Sequence, residues 1–250
     1  MAWVELHFHL LPGIDDGPPS IEDSLRLAAA AIEDGTGAVV TTPHVNGQCV
    51  SDPSEIPDRT RELGERFRRE RIALQVLPGG ELAHGMVQRL SDRQLAAIAQ
   101  GPEGNRWVLL EAPFSGLDES YTAAADELRE RGFAVVVAHP ERARATSGSA
   151  AALQHELAAG SALQLNAWSF AGLNGEEARK AAFRLVHGPR VVLASDAHST
   201  DRGPAIRLGM DALRRFGYRE PHRLAGANPR ALLEGGLAVR EMRPIGDRSF

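Results

Sequence analysis

Short apolar runs alternate with amphipathic segments along the whole chain. The runs are a few residues long and rich in Val, Leu and Ile, as expected for parallel strands that are buried on both faces. They predict seven strands, which span 3–9, 37–43, 72–78, 106–112, 133–139, 162–167 and 190–196.

The segments between these strands predict helices. Ser20 is a candidate N-cap for the first helix, and apolar residues then recur at helical spacing. Further helices are predicted at 54–71, 119–131, 149–159, 175–187 and 204–216, and a last one from an Asn228-Pro229 cap to Gly235-Gly236. This alternation predicts an α/β fold with a parallel sheet, open or closed. We expect a single domain over 1–240 and a C-terminal tail over 241–250.

The composition limits the class of protein. With 250 residues, 43% of them hydrophobic, the chain can bury a sizeable core. A net charge of -5 and a pI near 6.0 argue against nucleic-acid or membrane-surface binding. No apolar run is long enough to cross a bilayer, and the N-terminus does not resemble a signal peptide. Because the chain has one cysteine, which fits a reducing compartment, we expect a cytoplasmic protein without membrane insertion.

Two common routes to phosphate chemistry are excluded by single residues. The only lysine, Lys180, is followed by Ala181 rather than Ser or Thr, so the chain has no P-loop. A cysteine-dependent tyrosine phosphatase needs an arginine six positions after its cysteine, but Glu55 takes that place after Cys49. The chemistry must therefore be sought in other residues.

Metal-type ligands recur where the predicted strands end. Nine candidates lie there or in the loop after the first strand: His7, His9, Asp16, His44, Glu81, Glu111, His139, Asp196 and His198. Active sites of barrels and open α/β sheets form at this end of the strands. Residues i and i+2 of a strand share a face, so His7 and His9 can bind one ion together. Asp196 and His198 can do the same if the last strand extends that far.

Nine ligands are too many for one tetrahedral ion. They predict two or three divalent ions that share bridging carboxylates, which is typical of a hydrolytic centre. Imidazole together with carboxylate suits Mn, Fe or Zn. Asp15 is either a ligand or a turn former, and we favour Asp16 as the ligand. His84 is expected at the surface or behind the ligands, and His155, His187 and His222 are expected in solvent.

The run from His7 to Gly17, HFHLLPGIDDG, resembles the opening motif of PHP (polymerase and histidinol phosphatase) domain proteins. It is most similar to the CpsB/CapC/YwqE-type bacterial tyrosine-protein phosphatases, whose usual form is HSHILPGIDDGP. The similarity continues in the same order through Thr42-Pro43-His44, Gly80-Glu81, Leu110-Glu111, Ala138-His139-Pro140-Glu141-Arg142, Ser195-Asp196-Ala197-His198 and Asn228-Pro229-Arg230. The chain departs from the family at Glu5, where Asp is usual, and at Phe8, where Ser is usual.

The resemblance implies a distorted (β/α)7 TIM-like barrel, the PHP fold, with three metal ions. Manganese is the expected ion, and iron or zinc are the alternatives. By matching positions, the first ion is assigned to His7, His9, Glu81 and Asp196, the second to Glu81, Glu111 and His139, and the third to Asp16, His44 and His198. Arg142 and Arg202 match the arginines that bind the phosphate, and Arg202 lies four residues after His198.

The resemblance also implies a metal-dependent phosphoric monoester hydrolase that acts on protein phosphotyrosine. Its partner would be the tail of a tyrosine autokinase of capsule or exopolysaccharide biosynthesis, and not a nucleic acid. A hydroxide activated by the metals would attack phosphorus, Arg142 and Arg202 would hold the phosphoryl oxygens, and His44 could assist the leaving group.

Three alternatives stay open at this point. They are a small-molecule phosphatase of the histidinol-phosphate type, a nuclease, and a metal-binding regulator of the kinase without catalytic activity. The basic run Arg66, Arg68, Arg69 and Arg71 is interleaved with glutamates, which predicts a solvated helix face. The alternative for this run is a docking surface for an acidic kinase tail.

Overall fold

A computed structural model describes residues 2–146 and 148–239 of the chain, in which all strand pairs are parallel. It has nine strands: β1 Trp3–Phe8, β2 Thr36–Thr41, β3 His44–Val45, β4 Gln75–Pro78, β5 Glu81–Ala83, β6 Trp107–Glu111, β7 Ala134–Ala138, β8 Ala162–Asn166 and β9 Val191–Ala194. Each of the seven strands predicted from sequence is present.

The two additional strands, β3 and β5, lie just beyond the ends of two predicted strands, 37–43 and 72–78. Pro43 separates β2 from β3, and Gly79-Gly80 separates β4 from β5. Proline cannot donate to a strand ladder, and a Cβ on Gly79 would lie 2.4 Å from the Cγ1 of Val40. The interruption divides the hydrogen-bonded strands into two sheets, with the orders β1-β2-β4 and β3-β5-β6-β7-β8-β9.

The last strand leads back to the first. Phe8 forms a parallel bridge with Ala197, which lies just beyond β9. The backbone N–H of Asp196 donates to the carbonyl of His7 at 3.1 Å, and that of His9 donates to the carbonyl of Ala197 at 2.9 Å. The strands therefore follow one another around a ring, which confirms the distorted (β/α)7 barrel.

Helices connect the strands. They are α1 Ile21–Asp34, α2 Ile56–Glu70, α3 Asp92–Ile98, α4 Glu119–Glu130, α5 Ser149–Ala158, α6 Ala167–Phe170, α7 Glu176–Leu185, α8 Ile206–Arg215, α9 Pro221–Ala225 and α10 Ala227–Gly235. The side chain of Ser20 accepts from the N–H of Asp23, which confirms the predicted cap of α1. The predicted cap at Asn228 is wrong, because α10 begins at Ala227 and the Asn228 side chain donates to the Val191 carbonyl at 2.8 Å.

Alternate strand residues divide the core into two layers. Leu109 and Val136 belong to a smaller cluster that α10 covers with Leu232. Their neighbours Val108 and Val135 pack in the larger cluster, together with apolar residues of the connecting helices. The smaller cluster thus fills the interior of the ring of strands. The indole N–H of Trp107 in this cluster donates to the Leu232 carbonyl of α10 at 2.9 Å.

Among the described residues, no helix is long and apolar enough to cross a membrane. The tail predicted over 241–250 lies outside the described residues, so the boundary at 240 remains a prediction.

Candidate metal centre

The carboxyl ends of the strands bring the nine candidate ligands to one end of the ring. They come from β1 and its following loop (His7, His9, Asp16), from β3 (His44), β5 (Glu81) and β6 (Glu111), and from the residues that follow β7 (His139) and β9 (Asp196, His198). His44 and Glu81 are direct neighbours in the parallel register of β3 and β5. The broken strands therefore place two candidates side by side.

Three groups of these side chains have potential ligand atoms within 4.8 Å of one another. The groups are His7, His9, Glu81 and Asp196; His9, Asp16, His44 and His198; and His44, Glu81 and Glu111. Glu81 belongs to two of them, so its two oxygens are placed to bridge neighbouring ions.

These groups differ in two respects from the sets assigned by resemblance. His9 joins the group of Asp16, His44 and His198. His44, rather than His139, lies with Glu81 and Glu111. His139 nevertheless reaches the centre, because its Nε2 is 2.8 Å from Oε1 of Glu81. Of the two neighbouring aspartates, Asp16 is the one in a candidate group.

Two candidates adopt left-handed backbone conformations where their strands end. His139 has φ 35° and Asp196 has φ 55°. Residues other than glycine adopt this region at a cost, which is smallest for Asn, Asp and His. The turn at each position directs a strand-end side chain toward the centre.

The two most buried carboxylates of the centre are kept ionised. Burial by itself would raise the pKa of Glu81, but the charge of His7 and a hydrogen bond from His139 hold it well below its usual range. Burial likewise opposes ionisation of Asp196, yet His7 and His9 hold the pKa of Asp196 well below its usual range. Both carboxylates are therefore in the anionic state in which they can bind a cation.

His9 and His198 stack with ring centroids 3.6 Å apart, and their pKa values are shifted in opposite directions. Burial disfavours a charged His9, but hydrogen bonds to Asp15, Asp196 and Glu81 raise its pKa well above the usual value. Burial and the neighbouring charge of His9 lower the pKa of His198 to about 4. A neutral His198 at pH 7 is in the state that a metal ligand requires.

Several buried polar atoms at the centre have no hydrogen-bond partner among the described residues. They include Nδ1 of His44, Oε2 of Glu81 and Nε2 of His198. The first two are only 2.9 Å apart, yet their orientation does not form a hydrogen bond. Each unpaired buried group costs about 1–3 kcal/mol, and cations held by the candidate groups would satisfy these atoms. The donor set therefore fits divalent metal ions.

The two predicted phosphate-binding arginines meet at Asp196. Nη1 of Arg142 lies 2.6 Å and Nη2 of Arg202 lies 2.5 Å from Oδ2 of Asp196. The backbone N–H of His198 donates to the Arg202 carbonyl, so a tight turn returns Arg202 to the centre. Arg142 is 16% exposed and Arg202 40%, which places both at the rim.

A model of the capsular polysaccharide synthesis family CpsB/CapC matches residues 3–234. The chain belongs to this family. It is 32% identical to the tyrosine-protein phosphatase YwqE of Bacillus subtilis over 200 residues, which are 78% of this chain and 77% of that protein. It is 24% identical to the tyrosine-protein phosphatase CpsB of Streptococcus agalactiae over 242 residues, which cover 92% and 98% of the two chains.

Solved structures agree with this assignment. A structure from a study of Bacillus subtilis YwqE and Streptococcus pneumoniae CpsB, described as unique metal-dependent tyrosine phosphatases, superposes with a TM-score of 0.80 at 28% identity and covers 98% of this chain and all of that one. A phosphotriesterase homology protein of Escherichia coli has a TM-score of 0.62 at 15% identity, covers 91% of this chain and 97% of that chain, and supports the fold alone.

In this CpsB/CapC chain, two residues that contact the candidate ligands were not predicted from the sequence. Gln164 accepts from Nδ1 of His7 at 2.9 Å and from the N–H of His139 at 3.1 Å. Asn166 donates to Oδ2 of Asp196 at 3.1 Å. Both lie in β8, two residues apart, and this spacing on a strand that leads to the centre was the available signal.

The two departures from the CpsB/CapC pattern have distinct environments. Glu5 is fully buried and accepts from the backbone N–H of Ser195 at 2.6 Å and from its hydroxyl at 2.9 Å. Phe8 is fully buried in the larger core cluster, and its N–H donates to the hydroxyl of Thr42. Neither side chain is a candidate ligand, and Glu5 supports the segment that carries Asp196.

The remaining histidines and the cysteine lie outside the three candidate ligand groups. His84 is half-buried beside Tyr121, and His155 contacts Asp126 at 3.0 Å rather than standing free in solvent. Cys49 is exposed and has no disulfide. Burial, followed by the nearby Asp15 and Asp16, raises the pKa of the Cys49 thiol, which opposes a nucleophilic role.

Proposed function

We propose that the chain is a metal-dependent protein-tyrosine phosphatase. The observation that carries this proposal is the meeting of two arginines with the candidate metal ligands at Asp196. A phosphate monoester dianion needs cations around its non-bridging oxygens, and ions held by these ligands would supply that charge together with the two guanidinium groups. Family membership, and the tyrosine-protein phosphatases among its relatives, support the same substrate class.

We further propose that the nine candidate residues hold two or three divalent ions, manganese being favoured. Mixed imidazole and carboxylate donors suit first-row ions of this kind. Such ions supply Lewis acidity and lower the pKa of water. The chain's own contribution is to fix the donors, through Gln164 behind His7 and Asp15 behind His9.

Arg142 and Arg202 are proposed to bind the phosphoryl oxygens. Each uses one nitrogen toward Asp196, which leaves further N–H donors of the guanidinium fork for substrate. Because the two side chains approach from different loops, they can hold two oxygens of the same phosphate. They would thus orient the ester bond for in-line attack.

His44 is proposed to assist the leaving group. Its side chain is 19% exposed at the border between the buried ligands and solvent. Burial tends to lower the pKa of His44, but Glu81 outweighs burial and raises it, which favours a protonated ring wherever no ion occupies its nitrogens. The reaction needs only modest help from a proton donor, since a tyrosine phenolate leaves more easily than an aliphatic alkoxide.

We propose a tyrosine autokinase tail of a capsule or exopolysaccharide system as the physiological substrate; the family description, capsular polysaccharide synthesis, supports the system, and the resemblance alone suggests the kinase. The cytoplasm is the proposed compartment, and the exposed, unbridged Cys49 is compatible with its reducing conditions.

The test compares three substrates on manganese-loaded protein: a phosphotyrosine peptide, histidinol phosphate and single-stranded DNA. We expect hydrolysis of the peptide, and loss of at least about a thousandfold in kcat for His7→Ala and for Asp196→Ala. His222→Ala, at an exposed position on α9, is the matched histidine control.

Different outcomes reject different parts of the proposal. Undiminished turnover in His7→Ala or Asp196→Ala would overturn the metal mechanism. Fast hydrolysis of histidinol phosphate or DNA without hydrolysis of the peptide would overturn the substrate class. A protein that binds manganese but hydrolyses none of the three would be a binding protein rather than a phosphatase.

A further inference from the structure

An aromatic ring lies exposed at the rim of the candidate centre. Phe114 follows β6, three residues after Glu111, and is 55% exposed. Its ring is nearly parallel to the imidazole of His139, with an interplanar angle of 9° and centroids 6.1 Å apart. The guanidinium carbon of Arg142 lies 4.8 Å from the ring centroid.

Backbone hydrogen bonds hold the loop that carries the ring. The carbonyl of Phe114 accepts from the N–H of Arg144 at 3.0 Å, which ties this loop to the loop after β7. The N–H of Gly116 donates to the carbonyl of Pro113 at 2.9 Å and closes a turn around Phe114. A cation over the ring face adds a further attraction. An apolar surface is thus kept fixed and open to solvent beside the centre.

Phe114 is linked to both parts of the proposed phosphate site. Arg142, which lies over the ring, also contacts Asp196, and His139, which stacks on it, contacts Glu81. A phosphate held by Arg142 would lie beside Phe114, within reach of a group attached to its ester oxygen. In phosphotyrosine the aromatic ring is attached directly to that oxygen, whereas phosphoserine has only a methylene group there.

We propose that Phe114 packs against the aromatic ring of the substrate and so makes the site selective for aryl phosphates over alkyl phosphates. This inference rests on the proposed phosphatase function. It assigns to Phe114 the contact that distinguishes an aromatic leaving group from an aliphatic one. Aromatic rings attract each other in offset or edge-to-face arrangements, and contact also removes apolar surface of both rings from water. Phe114 is a specificity-determining residue in this proposal.

A second phenylalanine of the chain provides a matched control. Phe216, at the end of α8, is 59% exposed, and the guanidinium carbon of Arg179 lies 4.8 Å from its centroid. It thus has the same exposure and the same type of cation contact. It is not among the residues that surround the candidate centre, so its removal tests the general effect of deleting an exposed ring.

The experiment measures binding, so that it does not depend on turnover. Benzylphosphonate carries a methylene group in place of the ester oxygen of an aryl phosphate, and ethylphosphonate is its alkyl counterpart. Both are titrated calorimetrically into manganese-loaded wild type, Phe114→Ala, Phe114→Tyr and Phe216→Ala. The KM for a phosphotyrosine peptide is measured in parallel.

Wild type should bind benzylphosphonate more tightly than ethylphosphonate. In Phe114→Ala the Kd for benzylphosphonate and the KM for the peptide should rise about three- to tenfold, while ethylphosphonate should change by less than about twofold. Phe114→Tyr, which keeps the ring, and Phe216→Ala should both resemble wild type. An unchanged preference in Phe114→Ala would overturn the proposal.

A parallel loss of affinity for both phosphonates would also overturn it, because Phe114 would then merely support Arg142. If the phosphonate preference depends on Phe114 but the peptide is not hydrolysed, the proposed phosphatase function fails while the aryl-binding role stands. If the peptide is hydrolysed with an unchanged KM and an unchanged phosphonate preference, only the role of Phe114 fails.

Discussion

Asp15 accepts a hydrogen bond from Nδ1 of His9 at 2.7 Å, and the same carboxylate oxygen accepts from the backbone N–H of His44 at 3.0 Å. Because Nδ1 is engaged, Nε2 of His9 faces Glu81 and Asp196 at 3.4 and 3.5 Å. Asp15 thus orients one candidate ligand and anchors the backbone of another.

Replacing Asp15 should therefore weaken metal binding without removing a ligand. For Asp15→Ala we expect manganese affinity to fall about 10- to 100-fold, as is usual when the partner of a ligating histidine is lost. Isothermal titration would measure the affinity. Asp58→Ala, on the exposed face of α2, serves as the control, and an unchanged affinity in Asp15→Ala would refute the orienting role.

Gln164 has a comparable position behind His7 and His139. In Gln164→Leu we expect manganese affinity to fall about tenfold or more. The free energy of unfolding should drop by about 1–3 kcal/mol, since buried groups lose their partner. Gln154→Leu, at an exposed position of α5, should change neither quantity in metal titration and urea unfolding. Equal behaviour of the two variants would contradict the role given to Gln164.

Glu5 should make stability depend on pH. Burial raises its pKa to about 8, although hydrogen bonds from Ser195 oppose this. Because the folded-state pKa lies above the unfolded value of 4.5, the stabilising contribution is complete below pH 4.5. It is lost progressively as the pH rises to 8.

The Glu5→Gln side chain stays neutral at every pH, so this variant should not lose stability as the pH rises. Urea unfolding of metal-free protein should show the variant gaining stability relative to wild type between pH 5 and 8, by at most about 4–5 kcal/mol. Glu33→Gln, at an exposed position of α1, should follow wild type. A constant difference between Glu5→Gln and wild type across this range would show that Glu5 does not titrate as stated.

A buried ion pair away from the centre should affect stability alone. Arg129 of α4 contacts Glu156 of α5, and Ser161 contacts both side chains at 2.8 Å. Glu156→Ala removes the buried partner of Arg129 and leaves only Asp126, which contacts Nη1 at 2.7 Å, so it should cost about 3 kcal/mol of unfolding free energy. The double variant Arg129→Leu/Glu156→Leu should recover most of this loss. Chemical denaturation measures the free energy of unfolding of both variants. A Glu156→Ala protein as stable as wild type would contradict the prediction.

The fold was largely predictable because its strands are short apolar runs. The helices that the sequence analysis missed, α3, α6 and α9, have seven, four and five residues, too few for a clear helical period. The short strands β3 and β5 were also missed, because they have only two and three residues and follow the breaks at Pro43 and Gly79-Gly80, where the predicted strands end. Their positions depend on contacts with neighbouring strands, which periodicity does not report.

At the centre, the sequence indicated residue types but not their partners. Eight of the nine candidate ligands fall into the three groups and His139 contacts Glu81, because parallel strands share one carboxyl end. The grouping of His44 with Glu81 and Glu111 depends on the register of β3 against β5, which two residues of strand do not reveal. Phe114 lies in a loop, and only its stacking on His139 distinguishes it from an ordinary surface ring.

The parallel bridge between Phe8 and Ala197 joins the first and last strands, and candidate ligands lie on both sides of that junction. His7 and His9 stand on one side, Asp196 and His198 on the other. An ion bound by these residues would link the first and last strands of the barrel. Its binding free energy would therefore add to the stability of the closed ring. Chelation should accelerate amide hydrogen exchange first around 194–198, and metal supply would then govern the lifetime of the folded protein as well as its chemistry.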